Sequence, residues 1–202
     1  YLSAIFILAP ERRALSVLLD FNFFIIVLSS ALAIASGYII NSFYDSKKDL
    51  INRPNKSMLD RLVRQETKLK VYFGLNFAAT LLAFIVSWRA ALFFATYIFL
   101  IWFYSHKLKR YLIVGNLMAA LLAIFPFFCY LLYYFYKMPI NEIESLIYNL
   151  ELIFTHASFL FILILIRELI KDLENIKGDL VNNYQTIPVV YGENASKKII
   201  TI

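Results

Sequence analysis

Charged residues are scarce in this sequence, and their scarcity excludes an ordinary soluble domain. Of its 202 residues, 17% are charged and 61% are hydrophobic, and the mean hydropathy is +0.68. A typical soluble domain is about 45–50% apolar. Because the hydrophobic residues also stand in long runs, the composition indicates an integral membrane protein that crosses the bilayer several times.

Cysteine is almost absent, which excludes two further kinds of architecture. The single cysteine, Cys129, lies inside an apolar run. One cysteine cannot form a disulfide framework or a cysteine metal site within one chain, and we expect its side chain to be a small buried hydrophobe. The net charge is +6, but the basic residues cluster in particular loops. They therefore indicate topology signals and anion ligands, and no nucleic-acid partner is expected.

The apolar runs predict five complete membrane spans and two partial ones. The complete spans are expected at Phe21–Ile40, Val71–Ser87, Ala90–Tyr104, Ile113–Tyr136 and Leu146–Ile170. A turn is expected at Trp88–Arg89 and a polar loop at Lys137–Ser145. The partial spans are residues 1–9 and 199–202. We expect one transmembrane domain over residues 1–202, truncated at both ends.

The distribution of Lys and Arg predicts an orientation. The polar segment 46–70 carries eight basic residues, so the positive-inside rule places it in the cytoplasm. Counting spans from there puts 105–112 and 171–194 on the same side. Every unusual polar cluster then lies at the cytoplasmic face of the membrane.

The first of these clusters directly follows the first complete span. Asn41, Asp45 and Asp49 stand at i, i+4 and i+8, so on a helix they share one face. Neighbouring carboxylates repel each other unless a cation or a basic group lies between them. An acidic pair at the end of a hydrophobic span therefore indicates a functional site. Solvation at the helix end, with Lys47 and Lys48 as loose partners, is the alternative.

The second cluster spans residues 167–179 at the end of the fifth span. If this segment is helical, one face carries Glu168, Asp172, Asn175 and Asp179. Gly178 is expected to end the helix and leave Asp179 on a loop. Two converging carboxylate sets suit Mg²⁺, which fills its remaining positions with water and phosphate oxygens. The ion would clamp a diphosphate and stabilise it as a leaving group. A charged helix exit paired with Lys171 and Lys177 is the alternative.

Basic and aromatic residues accompany the two acidic clusters. The basic residues near the clusters, which can neutralise phosphate charge, are Arg53, Lys107, Lys109, Arg110, Arg167 and Lys171. Phe and Tyr residues fill the spans between the clusters, and aromatic faces stabilise a cation by about 0.5–2 kcal/mol each. The combination fits ionisation of an allylic diphosphate and capture of the carbocation by an acceptor.

Several short stretches resemble the UbiA superfamily of intramembrane prenyltransferases. Asn41-x-x-x-Asp45-x-x-x-Asp49 followed by Asn52-Arg53-Pro54 resembles its first motif. The stretch 104–109, Tyr-Ser-His-Lys-Leu-Lys, is similar to its tyrosine–lysine motif, and Gly115-Asn116 follows as it does there. The stretch 167–179, with 186–192 after it, resembles the second aspartate motif. Within the superfamily, residues 167–172 most resemble the geranylgeranylglyceryl-phosphate geranylgeranyltransferase branch.

The resemblance implies an all-α, polytopic transmembrane bundle of nine helices around a central cavity capped on the cytoplasmic side. Two Mg²⁺ ions would bridge the motifs and a prenyl diphosphate. The implied catalytic residues are Asp45, Asp49, Asp172, Asp179, Lys109 and Tyr104. The implied substrate-binding residues are Asn41, Arg53, Lys107, Asn116, Arg167 and Lys171. The implied metal ligands are Asn41, Asp45, Asp49, Asp172, Asn175 and Asp179. The expected donor is a polyprenyl diphosphate, with geranylgeranyl diphosphate first, and the expected acceptor is a phosphoglycerol lipid, with an aromatic acceptor second.

The sequence departs from the superfamily pattern at two positions. Ser42 stands where many members carry an acid after the Asn, and Asn175 stands where the second motif usually has its first Asp. A strict Asp-x-x-x-Asp is therefore absent from the second motif, and weaker binding of the second ion is expected. An amide oxygen can still ligate Mg²⁺, and Asp172 or Glu174 can substitute, so the ligand set stays open.

Other readings remain for some residues and for the function. Arg53 can instead anchor to lipid headgroups, and Tyr104 can belong to the interfacial aromatic belt. The basic residues that can equally be topology determinants are Lys107, Lys109 and Arg110. Membrane alcohol phosphotransferases pair Asp-x-x-Asp-Gly with a downstream Ala-Arg, and neither pattern occurs here. A cation transporter would place its acids near mid-membrane at discontinuous helices, whereas these acids follow the spans.

Overall fold

The computed structural model describes residues 4, 13–137 and 150–201, and within these ranges the secondary structure is helical, without a strand. The helices are α1 (Ala14–Leu18), α2 (Phe21–Asn52), α3 (Pro54–Arg61), α4 (Gln65–Val86), α5 (Trp88–His106), α6 (Val114–Lys137), α7 (Leu150–Glu174), α8 (Ile176–Val181), α9 (Ile187–Tyr191) and α10 (Glu193–Thr201). A 3₁₀ turn at Leu108–Arg110 precedes α6.

Five of these helices, α2, α4, α5, α6 and α7, are long and apolar enough to cross a membrane. They confirm the five complete spans and the all-α class. The polar loop predicted after Lys137, the first residues of the fifth span and most of the partial span at 1–9 lie outside the described residues. The apolar residues predicted to begin a further span at 199–202 continue α10 as far as Thr201.

The turn between α4 and α5 differs from the prediction. Trp88 and Arg89 form the first turn of α5, and the break in the helix falls at Ser87, whose backbone is extended. The Ser87 hydroxyl accepts a hydrogen bond from the Ala90 backbone N–H at 3.1 Å. Serine is a favoured N-cap because its side chain can satisfy an unpaired amide in the first helical turn. The predicted turn at Trp88–Arg89 was therefore wrong by one residue.

The polar segment 46–70 is largely helical. α2 continues beyond the apolar run to Asn52 and so carries Asn41, Asp45 and Asp49 on a helix, as predicted. Pro54 then occupies the first turn of α3, where its missing N–H costs no intrahelical hydrogen bond. Arg53 alone thus separates the end of α2 from the start of α3.

Gly178 does not end a helix, contrary to the prediction. α7 ends at Glu174, Asn175 interrupts the helical path, and Gly178 and Asp179 lie within α8. A Cβ atom on Gly178 would lie 2.3 Å from the Asn52 side-chain nitrogen. Gly178 therefore permits α8 to approach the end of α2, which is a packing role and not a terminating one.

The packing leaves the bundle with two distinct ends. α2 packs against α4 and α5, and α6 packs against α5 and α7. We call the end that carries Asp45 and Asp172 the motif end. At the opposite end, Asp20 caps α2 by accepting from the Phe23 backbone N–H, and it also accepts from Tyr133 and Lys137 of α6. Between the two ends lies an apolar core.

Candidate active site

A cavity of about 380 Å³ opens at the motif end between α2, α5, α6 and α7. The predicted site residues that line it are Asn41, Asp45, Asp49, Arg53, Tyr104, Lys109, Asn116, Arg167, Lys171, Asp172 and Asn175. These residues come from positions up to 134 apart in the sequence. The structure therefore brings together most of the set that the motifs indicated.

The face of α2 meets a lysine from the 3₁₀ turn. Lys109 donates from Nζ to Asp45 Oδ1 at 2.7 Å and to Asn41 Oδ1 at 3.3 Å. Its side chain is only 7% exposed. The basic group that the paired acids required is thus supplied by another segment of the chain. Lys109 bridges the two α2 residues and faces the cavity.

On the opposite wall, α7 presents Asp172 and Glu168. Asp172 Oδ2 accepts a hydrogen bond from Asn116 Nδ2 at 2.9 Å. Glu168 pairs with Arg167 at 3.0 Å and with Lys171 at 2.9 Å. Both carboxylates are buried, so these partners offset much of the cost of removing their charge from water. Asn116 orients Asp172, while Arg167 and Lys171 surround Glu168.

Asn52 holds the two motif-bearing segments together. Its side-chain nitrogen donates to the Asn175 carbonyl at 3.2 Å, and its side-chain oxygen accepts from the Gly178 backbone N–H at 2.9 Å. Arg53 adds a longer contact of 3.4 Å to Glu174. Asn52 was quoted in the first motif without a role, because nothing in the sequence shows which backbone groups its amide meets.

Asp179 lies behind the cavity wall. Its side chain is fully buried, Oδ1 is 2.5 Å from Lys48 Nζ, and Oδ2 accepts from the Thr186 hydroxyl at 3.3 Å. Burial raises the pKa of the Asp179 carboxyl, while the Lys48 ammonium and the Thr186 hydrogen bond act against that rise. The structure does not bring Asp179 to the cavity surface, whereas Lys48 does line it.

Tyr184 is a second cavity residue that the motifs did not indicate. Lys48 and Arg110 lie over its ring at 4.8 and 5.6 Å. Burial, with the Asp45 carboxylate adding to it, raises the pKa of the Tyr184 hydroxyl to about 12. A pattern did exist for Lys48, which follows Asn41 by seven residues and so lies on the same helical face. None existed for Tyr184.

Lys107 is the remaining predicted residue, and it does not reach this cavity. Its side chain lines a separate cleft of about 300 Å³ with Arg110, Tyr111, Asn183 and Gln185. The chain turns between Lys107 and Lys109, because the 3₁₀ turn starts there. The two lysines therefore face different surfaces, and the structure favours Lys109 as the one that serves the cavity.

The cavity residues fit a divalent ion that shares its coordination with a phosphate. Within residues 13–137 and 150–201, no three His, Cys, Asp or Glu side chains are grouped closely enough to hold a metal alone. Mg²⁺ needs only one or two carboxylates and takes its other ligands from water and substrate phosphates. Asp45, Asp49 and Asp172, with the Asn41 amide oxygen, are suitable donors on the cavity surface.

The basic side chains around these donors favour an anionic ligand. Six of them line the cavity, namely Lys48, Arg53, Lys56, Lys109, Arg167 and Lys171. Four acidic side chains line it with them, namely Asp45, Asp49, Glu168 and Asp172. Charge-assisted hydrogen bonds from Lys and Arg are the strong contacts of phosphate recognition. The arrangement can therefore hold a diphosphate together with a divalent cation.

Curated relatives share much of this sequence. Over 164 residues the chain is 30% identical to a protein of Thermococcus sibiricus named digeranylgeranylglyceryl phosphate synthase. The aligned region covers 81% of this chain and 54% of the relative. Over 184 residues it is 29% identical to a protein of the same name from Methanosphaera stadtmanae, covering 90% and 63% respectively. The chain thus spans between half and two thirds of the length of these relatives.

A solved structure and a family profile complete the comparison. The structure, from work on digeranylgeranylglyceryl phosphate synthase in membranes, has a TM-score of 0.57 and 20% identity, and the match covers 89% of this chain and 60% of that one. This likeness shows the fold, a helical bundle of an integral membrane protein. The profile of the UbiA prenyltransferase family matches residues 2–202. The chain belongs to the UbiA prenyltransferase family.

Proposed function

We propose that the intact protein transfers a prenyl group from a polyprenyl diphosphate, with geranylgeranyl diphosphate first, to a phosphoglycerol lipid acceptor such as geranylgeranylglyceryl phosphate. The observation that carries this proposal is the convergence of both acidic motifs and six basic side chains on one cavity. The names of the curated relatives support the choice of donor and acceptor class.

The polar end of the cavity would bind the diphosphate. Asn41, Asp45, Asp49 and Asp172 would hold Mg²⁺, which when bound neutralises charge on the diphosphate leaving group. Lys109, already buried beside Asp45, would donate to a diphosphate oxygen as negative charge builds up there. Such preorganised donors are effective because they need no rearrangement when the C–O bond breaks.

The deeper part of the cavity would hold the prenyl chain. Ile34, Tyr97, Ile101 and Leu122 line it, and Ile34 lies about 16 Å of helix below Asp45 at 1.5 Å per residue. Apolar walls suit a hydrocarbon chain. Tyr104, which also lines the cavity, would present its ring to the allylic cation, and such contacts contribute about 0.5–2 kcal/mol.

We further propose that the motif end faces the cytoplasm. Lys and Arg concentrate in the segments at this end, and the positive-inside rule then places it there. The chemistry would occur where a water-soluble diphosphate product can leave directly into the cytoplasm. A cysteine-accessibility map of the α3 segment in sealed vesicles tests this orientation, and labelling from the outside only would contradict it.

Product identification tests the proposed function. Full-length protein in detergent receives radiolabelled geranylgeranyl diphosphate, Mg²⁺ and either geranylgeranylglyceryl phosphate or 4-hydroxybenzoate, and the lipid extracts are separated by chromatography. We expect a labelled ether lipid with the phosphoglycerol acceptor alone. A labelled product with the aromatic acceptor alone would overturn the acceptor assignment. Folded protein that makes neither product would overturn the transferase assignment.

A further inference from the structure

Lys48 occupies an unusual place among the acidic residues of the motif end. It stands between Asp45 and Asp49 in sequence, on the α2 face that carries Asn41 and Asp45. Its side chain lines the cavity but is only 12% exposed, and its ammonium lies 2.5 Å from Asp179. A fixed positive charge thus already stands between the two motifs.

Asp179 is not available to a hydrated divalent ion in this arrangement. Its side chain has no solvent exposure, one oxygen faces Lys48, and the other accepts from Thr186. Mg²⁺ gives up its water molecules reluctantly and usually keeps several of them. An ion that reached Asp179 would have to displace the Lys48 ammonium from a buried carboxylate.

The other position of the second motif, Asn175, lacks a negative charge. Asn175 stands where the superfamily resemblance implies an aspartate, so the second motif has one negative charge fewer. The Asn175 backbone carbonyl is already engaged by Asn52 at 3.2 Å. An uncharged amide at Asn175 and a buried ammonium at Lys48 both make this region more positive. A second divalent cation is therefore less favoured here.

Lys109 provides an instructive contrast, because it also pairs with an acid of the first motif. Its partners Asn41 and Asp45 both line the cavity. An incoming ion can therefore reach these ligands while Lys109 turns toward a phosphate. The partner of Lys48 is Asp179, which lies behind the cavity wall. An ion in the cavity therefore cannot replace Lys48 at that carboxylate.

We propose that the Lys48 ammonium is a built-in cation that takes the place of one of the two Mg²⁺ ions implied by the superfamily resemblance, so that each active site binds a single divalent ion. The remaining ion belongs to Asn41, Asp45, Asp49 and Asp172. Lys48 neutralises Asp179 and directs its remaining N–H groups toward a diphosphate oxygen. This inference rests on the proposed function only in assigning a diphosphate to the cavity.

The test counts bound ions and needs no turnover. Full-length protein in detergent is equilibrated with Mn²⁺ and inorganic pyrophosphate, and the Mn²⁺ retained per chain is measured by gel filtration in the same buffer. Electron paramagnetic resonance then distinguishes an isolated Mn²⁺ from a spin-coupled pair. We expect one retained Mn²⁺ and an uncoupled spectrum for the natural chain. Two ions per chain with spin coupling would overturn the proposal.

A variant pair sharpens the same measurement. Lys48→Met combined with Asn175→Asp restores the missing carboxylate and removes the built-in cation, so the count should rise from one to two. Lys48→Arg combined with Asn175→Asp keeps the cation and should stay at one. A count that remains at one in folded Lys48→Met/Asn175→Asp protein would contradict the role of Lys48. Because prenyl donor is absent throughout, failure of the transferase assay does not affect this outcome.

Discussion

The two ends of this bundle are built from the same helices yet differ in chemistry. α2, α5 and α6 line the motif-end cavity of about 380 Å³, and they also line a cavity of about 300 Å³ at the opposite end. The first is surrounded by six basic and four acidic side chains. Among the described residues that line the second, two are basic, Arg89 and Lys137, and none is acidic. Of these two cavities, the one at the motif end carries the acidic and basic groups that can hold a phosphate with a cation.

An aromatic stack separates the two cavities. Tyr97, on the surface of the first, stacks on Phe125 with ring centroids 5.3 Å apart, and Phe125 stacks on Phe93, on the surface of the second, at 4.8 Å. Such offset ring contacts add about 0.5–1.5 kcal/mol beyond the area they bury. Tyr97 lines the motif-end cavity and rests on Phe125, and we call these two rings the floor of that cavity. The floor residues are uncharged, so the depth of the cavity and its charge depend on different residues.

The largest contrast is expected between two lysines, one at each end. Lys109→Ala removes the ammonium beside Asp45, and we expect kcat for prenyl transfer to fall by at least about 100-fold, the usual cost of losing one preorganised charge-stabilising donor. Lys137→Ala should leave kcat within about twofold, since its partner Asp20 caps α2 far from the cavity. Steady-state kinetics of both variants check this. Equal losses in the two would remove the functional distinction between the ends.

Two glycines give the next contrast. Gly178→Ala places a methyl group 2.3 Å from the Asn52 side chain, and we expect it to cost about 1–3 kcal/mol of stability, as overpacking does. It should also lower activity, because Asn52 joins the two motifs. Gly74→Ala is the matched control, since a Cβ atom there would meet open space beyond the adjacent backbone of its own helix. Thermal unfolding in detergent measures both, and an unchanged midpoint for Gly178→Ala would contradict the packing role.

At the opposite end, Asp20 should contribute to stability and not to catalysis. Asp20→Ala removes an N-cap of α2, which costs about 0.5–2 kcal/mol. Burial alone would raise the pKa of the Asp20 carboxyl, but hydrogen bonds from Lys137, Tyr133 and the Phe23 backbone N–H lower it overall. A lowered folded-state pKa stabilises the fold above the ordinary carboxyl value of about 4, and the contribution is lost as pH falls through the folded value.

Thermal unfolding from pH 7 to pH 3 checks this dependence. The unfolding midpoint of the natural chain should exceed that of Asp20→Ala near pH 7, and this difference should shrink toward pH 3. The difference in midpoint between Asp20→Asn and Asp20→Ala should be nearly independent of pH. An advantage of the natural chain that grows toward pH 3 would show that the sign of the pKa shift is wrong.

The smallest expected effect concerns the stack between the cavities. Phe125→Leu shortens the central ring of the stack while keeping an apolar side chain, and it should open the floor toward the second cavity. We expect kcat/KM to rise several-fold for a donor one isoprene unit longer than geranylgeranyl diphosphate, relative to geranylgeranyl diphosphate itself. Competition between the two donors measures this ratio. Leu132→Val, which changes the second cavity alone, is the control, and equal ratios in the two variants would contradict the role of the floor.

Much of this architecture could be predicted from the sequence, because bilayer thickness and hydrophobic runs determine span length. All five long helices were expected, and Asn41, Asp45 and Asp49 share a helix because i, i+4 spacing is a local property. The break at Ser87 was missed because the pair Trp88–Arg89 interrupts the apolar run and so indicated a turn. The boundary is set instead by Ser87, which caps α5. The role of Gly178 was predicted wrongly because the side chain that requires a glycine there, Asn52, lies 126 residues away in the sequence.

The tertiary pairs of the site could not be predicted. Lys48 with Asp179, and Asn52 with the segment after α7, join residues more than 120 positions apart. Sequence spacing describes one helix face at a time and gives no distance between two helices. The motifs therefore indicated candidate acids, while the structure was needed to show that Asp172 lines the cavity and that Asp179 faces Lys48.

Mg²⁺-dependent release of pyrophosphate shows directly whether prenyl transfer occurs at the motif-end cavity. The full-length protein, Asp45→Asn and Glu66→Gln are compared with geranylgeranyl diphosphate and geranylgeranylglyceryl phosphate. Glu66 is an exposed acid of α4 paired with Lys70 outside the cavity, so Glu66→Gln should match the natural rate. We predict that Asp45→Asn loses at least about 100-fold. Folded Asp45→Asn protein that releases pyrophosphate at the natural rate would show that the reaction does not depend on this cavity.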